Sequence, residues 1–144
     1  MVNEIEKLIE KLKNKINDNS CFDFNLHIDC CRIKASGYKL KIRFDECADR
    51  YFGKDGGCDC IFIFSDKVCI VECTRGKFGS RDAKRKPKQI KVCYNLIRSL
   101  GYRGLIVAIF YYEHFEKNIS KERVKLELRD IKKKDKGLIV RYSI

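Results

Sequence analysis

An unbroken apolar run, Leu105 to Tyr112, limits the fold more than any other part of the chain. It contains no charged residue and is bounded by Gly104 and Glu113. A strand that is apolar on both faces must be covered on both, which is typical of a central strand in a parallel or mixed sheet. A helical pattern at residues 87–100 can supply the crossover that a parallel neighbour needs. The chain is therefore predicted to be an α/β domain with a mixed β-sheet core flanked by helices.

Two segments carry apolar residues at helical spacing and are predicted to pack on this sheet. Residues 3–17 form the first, with Asn3 as its cap and a stripe formed by Ile5, Leu8, Ile9, Leu12 and Ile16. The second covers 87–100, where Pro87 suits the first turn and Gly101 suits the C-terminal cap. Its stripe consists of Ile90, Cys93, Leu96, Ile97 and Leu100.

Alternation of apolar and polar residues predicts strands at 22–29, 38–44 and 124–128, and the largely apolar stretches 59–64, 68–74 and 138–142 are predicted to be strands as well. The last two would form a terminal hairpin, joined through a lysine-rich turn at 132–137. The polar stretches 45–57 and 76–86 are predicted to be loops. We find neither a repeat nor a linker, so residues 1–144 are predicted to form one domain.

The charge of the chain indicates its partner. Lysine and arginine number 32 against 20 aspartate and glutamate, a formal net charge of +12. Such a surplus attracts polyanions, above all nucleic acid, and we expect DNA rather than RNA. Seven basic residues crowd into positions 75–88 and are the candidates for phosphate binding: Arg75, Lys77, Arg81, Lys84, Arg85, Lys86 and Lys88. Docking of this stretch onto an acidic protein is the alternative.

The N-terminal segment does not resemble an export signal. Met1 to Ser20 mixes charged and apolar residues throughout, whereas a signal peptide has an apolar centre. The longest apolar run is far too short to cross a bilayer. We therefore expect a soluble cytoplasmic protein without membrane contacts.

The nine cysteines include no CxxC pair, the spacing on which most zinc sites depend. We expect most of them to be free thiols that pack as small buried apolar side chains. Disulfides are expected only if the source is a hyperthermophile, where they occur inside cells. An iron–sulfur cluster is the remaining alternative.

The predicted hairpin at 59–74 carries the strongest chemical signal. If Ser65 and Asp66 form its loop, Phe64 pairs with Lys67 and Asp59 faces Glu72. Facing residues have Cβ atoms about 4.5–5.5 Å apart, so two carboxylates would repel each other at the end of an apolar hairpin. A divalent cation such as Mg²⁺ or Mn²⁺ would remove this repulsion, because both prefer oxygen ligands. Otherwise the pair meets water or nearby lysine and arginine.

This arrangement resembles the metal-binding hairpin of the PD-(D/E)XK nuclease superfamily, and within it the archaeal Holliday-junction resolvases. The resemblance covers about residues 57–112, and Asp59 and Glu72 stand at the two acidic positions of the motif. It implies a restriction-endonuclease-like fold, a Mg²⁺ or Mn²⁺ ion held by Asp59, Glu72 and the carbonyl of Cys73, and hydrolysis of DNA. The family often adds a carboxylate from the first helix. Glu4, Glu6 and Glu10 are the candidates, of which we prefer Glu10, and Glu46 is a rival.

The chain departs from the family motif at Thr74, which stands where the catalytic lysine is expected. Thr74 would still share the strand face of Glu72. Lys77 is the nearest substitute for the missing charge, and Lys88 could reach in from the following helix. Gln89 and Tyr94 are five residues apart, one more than a related helix motif requires.

Three functions follow from these observations. The first is a metal-dependent DNA endonuclease acting on branched or damaged DNA, and the analogy with junction resolvases suggests a homodimer. The second is a nucleic-acid-binding module that has kept the fold and lost catalysis. The third is a structural subunit of a larger complex.

Overall fold

The computed structural model describes residues 3–23, 37–52, 57–78, 80–115 and 117–143. In these residues the helices are α1 (Glu4–Lys15), α2 (Ser80–Ser99) and α3 (Lys117–Lys134). The strands are β1 (Phe22–Asp23), β2 (Leu40–Arg43), β3 (Cys60–Ile63), β4 (Lys67–Phe78), β5 (Leu105–Phe115) and β6 (Leu138–Ser143). Short 3₁₀ turns occur at Asn19–Cys21 and Asp49–Phe52, and a π-helical turn at Phe44–Ala48.

The strands form one mixed sheet in the order β1-β2-β3-β4-β5-β6. Pairing is antiparallel from β1 to β4 and parallel from β4 to β6. Helix α2 connects the parallel neighbours β4 and β5, as predicted, and β5 has parallel partners on both sides. The α/β class and the central position of residues 105–112 are therefore confirmed.

All three helices contribute to the larger hydrophobic core, on one face of the sheet. Ile5, Leu8 and Leu12 of α1 join Ile90 of α2 and Val124 of α3 in this cluster. The opposite face carries a smaller cluster formed by Cys60, Phe62, Cys69, Val71 and Val107. The side chains of β3 and β4 that face the helices are therefore the ones that α2 can reach.

The first helix begins where the sequence predicts. The Asn3 side chain accepts a hydrogen bond from the Glu6 amide at 2.8 Å, which satisfies one of the free donors of the first turn. Helix α2 ends at the predicted place as well, because Gly101 adopts φ +97° after it, a conformation that favours glycine.

The predicted loop at 76–86 is wrong. Strand β4 continues to Phe78, because after a bulge between Thr74 and Lys77 it pairs again with β5. Helix α2 then begins at Ser80, and Pro87 lies in its interior instead of its first turn. The basic side chains misled the prediction, because neither strand pairing nor helix formation requires apolar residues on an exposed side.

The predicted terminal hairpin is also wrong. Residues 124–128 belong to α3, and β6 runs parallel to β5. Val124 and Leu128 are buried while Leu126 between them is 56% exposed, so the buried spacing is four residues, which is helical. Apolar residues at 124, 126 and 128 fit the two-residue period of a strand, and those at 124 and 128 also fit the spacing of a helix. Only packing shows which of the two forms.

Residues 22–29 were predicted to form one strand, of which β1 covers 22–23. The rest of that prediction, at 24–29, and the turn at 35–36 lie outside the described residues. No helix in the described ranges combines the length and the apolar character that crossing a bilayer requires.

The expectation of mostly free thiols is wrong. Cys21 is bonded to Cys47 and Cys58 to Cys93, with Cα–Cα distances of 5.4 and 6.1 Å. The partners are 26 and 35 residues apart in sequence, so local spacing does not reveal them. Folding alone brings these sulfur atoms together.

Candidate active site

The hairpin has the predicted register. The Phe64 amide donates to the Lys67 carbonyl at 2.9 Å, and Cys60 pairs with Val71. The regular pairing ends there, because the Asp59 amide donates to the carbonyl of the same Val71 at 3.0 Å. Asp59 therefore lies just outside the paired part of the hairpin, next to the end that carries Glu72.

Glu72 is on the sheet face that α2 covers. Side chains alternate along a strand, and Ile70 of β4 belongs to the helix-facing core. Glu72 is two residues further along the same face of β4. Glu72 is 1% exposed, so its carboxylate needs compensating charge or hydrogen bonds.

Lys86 of α2 supplies that charge. Its Nζ lies 3.1 Å from Glu72 Oε2 and donates to the Cys73 carbonyl at 2.9 Å. The Lys86 side chain is 12% exposed, so this is a largely buried ion pair. An ammonium group therefore occupies the region that the sequence assigned to a metal ion.

Asp59 is held by the backbone beside Glu72. Its Oδ2 accepts a hydrogen bond from the Cys73 amide at 2.6 Å. Cys73 thus uses its amide for Asp59 and its carbonyl for Lys86. One strand segment therefore positions both carboxylates and the ammonium group.

The oxygen atoms at this site are of the type that binds a small divalent cation. The carboxylates of Asp59 and Glu72 and the carbonyl of Cys73 are oxygen donors, which Mg²⁺ and Mn²⁺ prefer, and Cys73 or Lys86 contacts each of them. Lys86 contacts two of the three groups. A metal ion would share these oxygens with the ammonium or compete with it for them.

Two further polar atoms are buried at this end of the sheet. Thr74 Oγ1 and Gln89 Oε1 have no hydrogen-bond partner among the described residues. Thr74 is two positions after Glu72 on β4, and Gln89 is three after Lys86 on α2. Buried polar groups are seldom left unsatisfied, so their presence is consistent with a site completed by water or a polar ligand.

Among the described residues, the structure shows no contact between the other predicted site residues and Asp59 or Glu72. Glu10 is exposed on α1, and no described contact joins it to Asp59 or Glu72. The side chains of Arg75, Lys77 and Glu46 lie outside the described residues, so the roles predicted for them stay predictions.

Four of the predicted phosphate-binding residues share the exposed side of α2. Arg81, Lys84, Arg85 and Lys88 are exposed, and they recur at i, i+3, i+4 and i+7, which is one side of a helix. We call these four residues the basic face of α2. Arg85 also lies 3.6 Å from Asp82. Lys86 points to the opposite side, toward Glu72, so it is not part of this basic face, and its predicted contact with phosphate stays a prediction.

Sequence reasoning failed to place Lys86 in the site, although a signal was present. The buried stripe of α2 includes Ile90, Cys93 and Ile97, and extending it back by one turn reaches position 86. The extension was not made because the helix was started at Pro87. A cation in line with an apolar stripe is typical of a buried ion pair.

A second cluster of ligand-type residues does not form a metal site. Asp18, Cys21 and Cys47 are the one such group among the described residues, but the two cysteines are bonded to each other. Asp18 lies 2.5 Å from Arg50. Hydrogen bonds from the Ser20 hydroxyl and amide lower the pKa of Asp18, so this carboxylate is already satisfied.

No protein-family model, curated protein or solved structure matches this chain. Its function must therefore be argued from the site itself.

Proposed function

We propose that this protein is a metal-dependent endonuclease for DNA with a PD-(D/E)XK-type site, in which Lys86 replaces the missing motif lysine. The carrying observation is the contact of Lys86 with Glu72 and with the Cys73 carbonyl. The order of helix, antiparallel strands, crossover helix and parallel strand supports a restriction-endonuclease-like core.

Each group has a chemical role in this proposal. Asp59, Glu72 and the Cys73 carbonyl would hold Mg²⁺ or Mn²⁺, which polarises a phosphate oxygen and activates water when bound. Lys86 places a positive charge at the same oxygens and stabilises the negative charge that develops on the attacked phosphate. Glu72 orients the ammonium group, and the Thr74 hydroxyl is free to bond with water or phosphate.

The basic face of α2 would hold the DNA backbone. Its side chains are in solvent, where they can release counterions on binding. They lie on the same helix as Lys86 but on its opposite side. This arrangement favours nucleic acid over a small phosphate ester, because four cations along one helix can contact several phosphates of a nucleic-acid backbone.

Changing Lys84, Arg85 and Lys88 together to alanine is expected to flatten the salt dependence of duplex binding. Log K falls by about 0.9 on log salt for each phosphate contact, so each lost contact lowers the slope by about that amount. Fluorescence anisotropy across a salt series measures it. The matched control removes the same charge from Lys132, Lys133 and Lys134, which are exposed at the end of α3. Equal slopes in both variants would place the binding surface elsewhere.

Cleavage of plasmid and branched DNA with Mg²⁺ or Mn²⁺ tests the proposed activity. Asp59→Asn and Glu72→Gln should each abolish cleavage, because each replaces an anionic ligand with a neutral amide. Wild-type rates in both variants would show that the hairpin is not the active site.

The contact made by Lys86 also favours a second function, a DNA-binding module without catalysis. A buried ammonium group already neutralises Glu72, so the site is satisfied without a metal. Calorimetric titration with Mn²⁺ separates the two functions. The nuclease should bind the ion through Asp59 and Glu72, whereas the module should bind DNA and give no metal signal.

A further inference from the structure

The cysteines beside the two acidic residues are all bonded. Cys58 and Cys60 flank Asp59, and Cys73 follows Glu72. Each of the three forms a disulfide, and the partner of Cys58 is Cys93 on α2. A covalent bond therefore joins the residue next to Asp59 to the helix that carries Lys86.

We propose that the Cys58–Cys93 disulfide positions Lys86 against Glu72. Cys93 is seven residues after Lys86, so the two project from the same side of α2, about 10 Å apart along its axis. The disulfide anchors this side of the helix to the hairpin at one point, and the ion pair anchors it at another. Rotation or sliding of α2 would break the ion pair, and the disulfide opposes both movements.

The contacts form a closed circuit around the site. Asp59 accepts from the Cys73 amide, and the Cys73 carbonyl accepts from Lys86. Helix α2 then leads to Cys93, and the disulfide returns to Cys58, next to Asp59. Without the disulfide, only the contacts of Lys86 with Glu72 and the Cys73 carbonyl hold it in position.

The helix between the two anchors needs such support. Pro87 lies inside α2, where it has no amide to donate to the carbonyl of Ala83, four residues earlier. The turn that carries Lys86 thus lacks one backbone hydrogen bond. Close packing reinforces the anchor, since a Cβ on Gly57 would collide with the Phe44 ring and would lie 3.2 Å from Cys93 Sγ.

Cys21–Cys47 provides a matched control. It closes a chain segment of similar length, 26 residues against 35, and joins two short helical turns outside α2. No described contact connects it to Lys86 or Glu72. Both disulfides should stabilise the fold, and the proposal assigns a positioning effect to Cys58–Cys93 alone.

The test follows the exposure of Lys86 by acetylation of the full chain with an N-hydroxysuccinimide ester, read for each lysine by mass spectrometry. In the wild type, Lys86 should react more slowly than Lys84 and Lys88. The Cys58→Ala/Cys93→Ala variant should raise the rate of Lys86 relative to Lys84 by about tenfold, through local opening. The Cys21→Ala/Cys47→Ala variant should leave that ratio unchanged.

An unchanged ratio in folded Cys58→Ala/Cys93→Ala, or equal rises in both double variants, would overturn the proposal. If the double alanine variant does not fold, Cys58→Val/Cys93→Ala refills the space and is measured instead. The inference concerns catalysis only through the proposed function, and acetylation does not depend on cleavage. If the wild-type protein cuts no DNA and the Cys58→Ala/Cys93→Ala variant still loses the protection of Lys86, the positioning role is supported while the nuclease is contradicted.

Discussion

Lys86→Ala is expected to slow metal-dependent DNA cleavage by about 10²- to 10³-fold, the usual effect of removing one group that stabilises transition-state charge. The same change leaves Glu72, which is 1% exposed, without the ammonium 3.1 Å away. Breaking a buried ion pair from one side costs about 3–5 kcal/mol. Single-turnover cleavage and urea unfolding measure the two effects separately.

Lys84→Ala is the matched control for this prediction. Lys84 is two residues earlier on α2 and exposed, so its loss should weaken DNA binding and leave the cleavage step unchanged. Cleavage by Lys86→Ala at the wild-type rate would contradict the role assigned to Lys86.

Thr74→Lys provides a rescue. Thr74 is two residues from Glu72 on β4, and in the proposed PD-(D/E)XK-type site it takes the position of the motif lysine. In the Lys86→Ala background it would return an amine to the same oxygens, and we expect part of the activity to return. In the wild-type background it would place two ammonium groups together and should destabilise the fold. Rescue would show that cleavage requires a positive charge beside Glu72, whether it comes from α2 or from β4.

Reduction of the disulfides is expected to cause the largest loss of stability. The partners are 26 and 35 residues apart, and loops of this length correspond to about 3.5–4 kcal/mol each by the chain-entropy estimate. The two together approach the whole stability of many domains, about 5–15 kcal/mol. The melting temperature should fall by about 20 °C on reduction, at about 2–4 °C for each kcal/mol. Calorimetry with and without reductant measures it, and equal melting temperatures would contradict the prediction.

Thiol titration provides a check on the same disulfides. In denaturant without reductant, Cys69 should react, since it is the free cysteine among the described residues. In the native protein it should react slowly, because burial raises the pKa of its thiol to about 11. Cys30 and Cys31 lie outside the described residues. Recovery of more than three thiols per chain would thus contradict the disulfides.

Local sequence patterns predicted the correct element wherever the spacing of apolar residues fitted only a strand or only a helix. The run 105–112 indicated a central strand because both of its faces are apolar, and β5 confirms it. The loop of Ser65 and Asp66 set the pairing of β3 with β4 from Cys60 to Ile63, and Asp59 and Glu72 come next to that pairing on the two chain segments. Where 124–128 satisfied both periods, the pattern predicted a strand and the chain forms a helix.

The sequence by itself thus determined the α/β class and the hairpin register, because each depends on neighbours a few residues apart. Only the tertiary structure decided which cation meets Glu72 and which cysteines bond. Lys86 reaches Glu72 because α2 begins at Ser80 and returns along β4, and Cys93 reaches Cys58 by the same packing. Such contacts depend on how a helix is rotated and placed on a sheet, and that is set by the summed packing of the core, which no local spacing encodes.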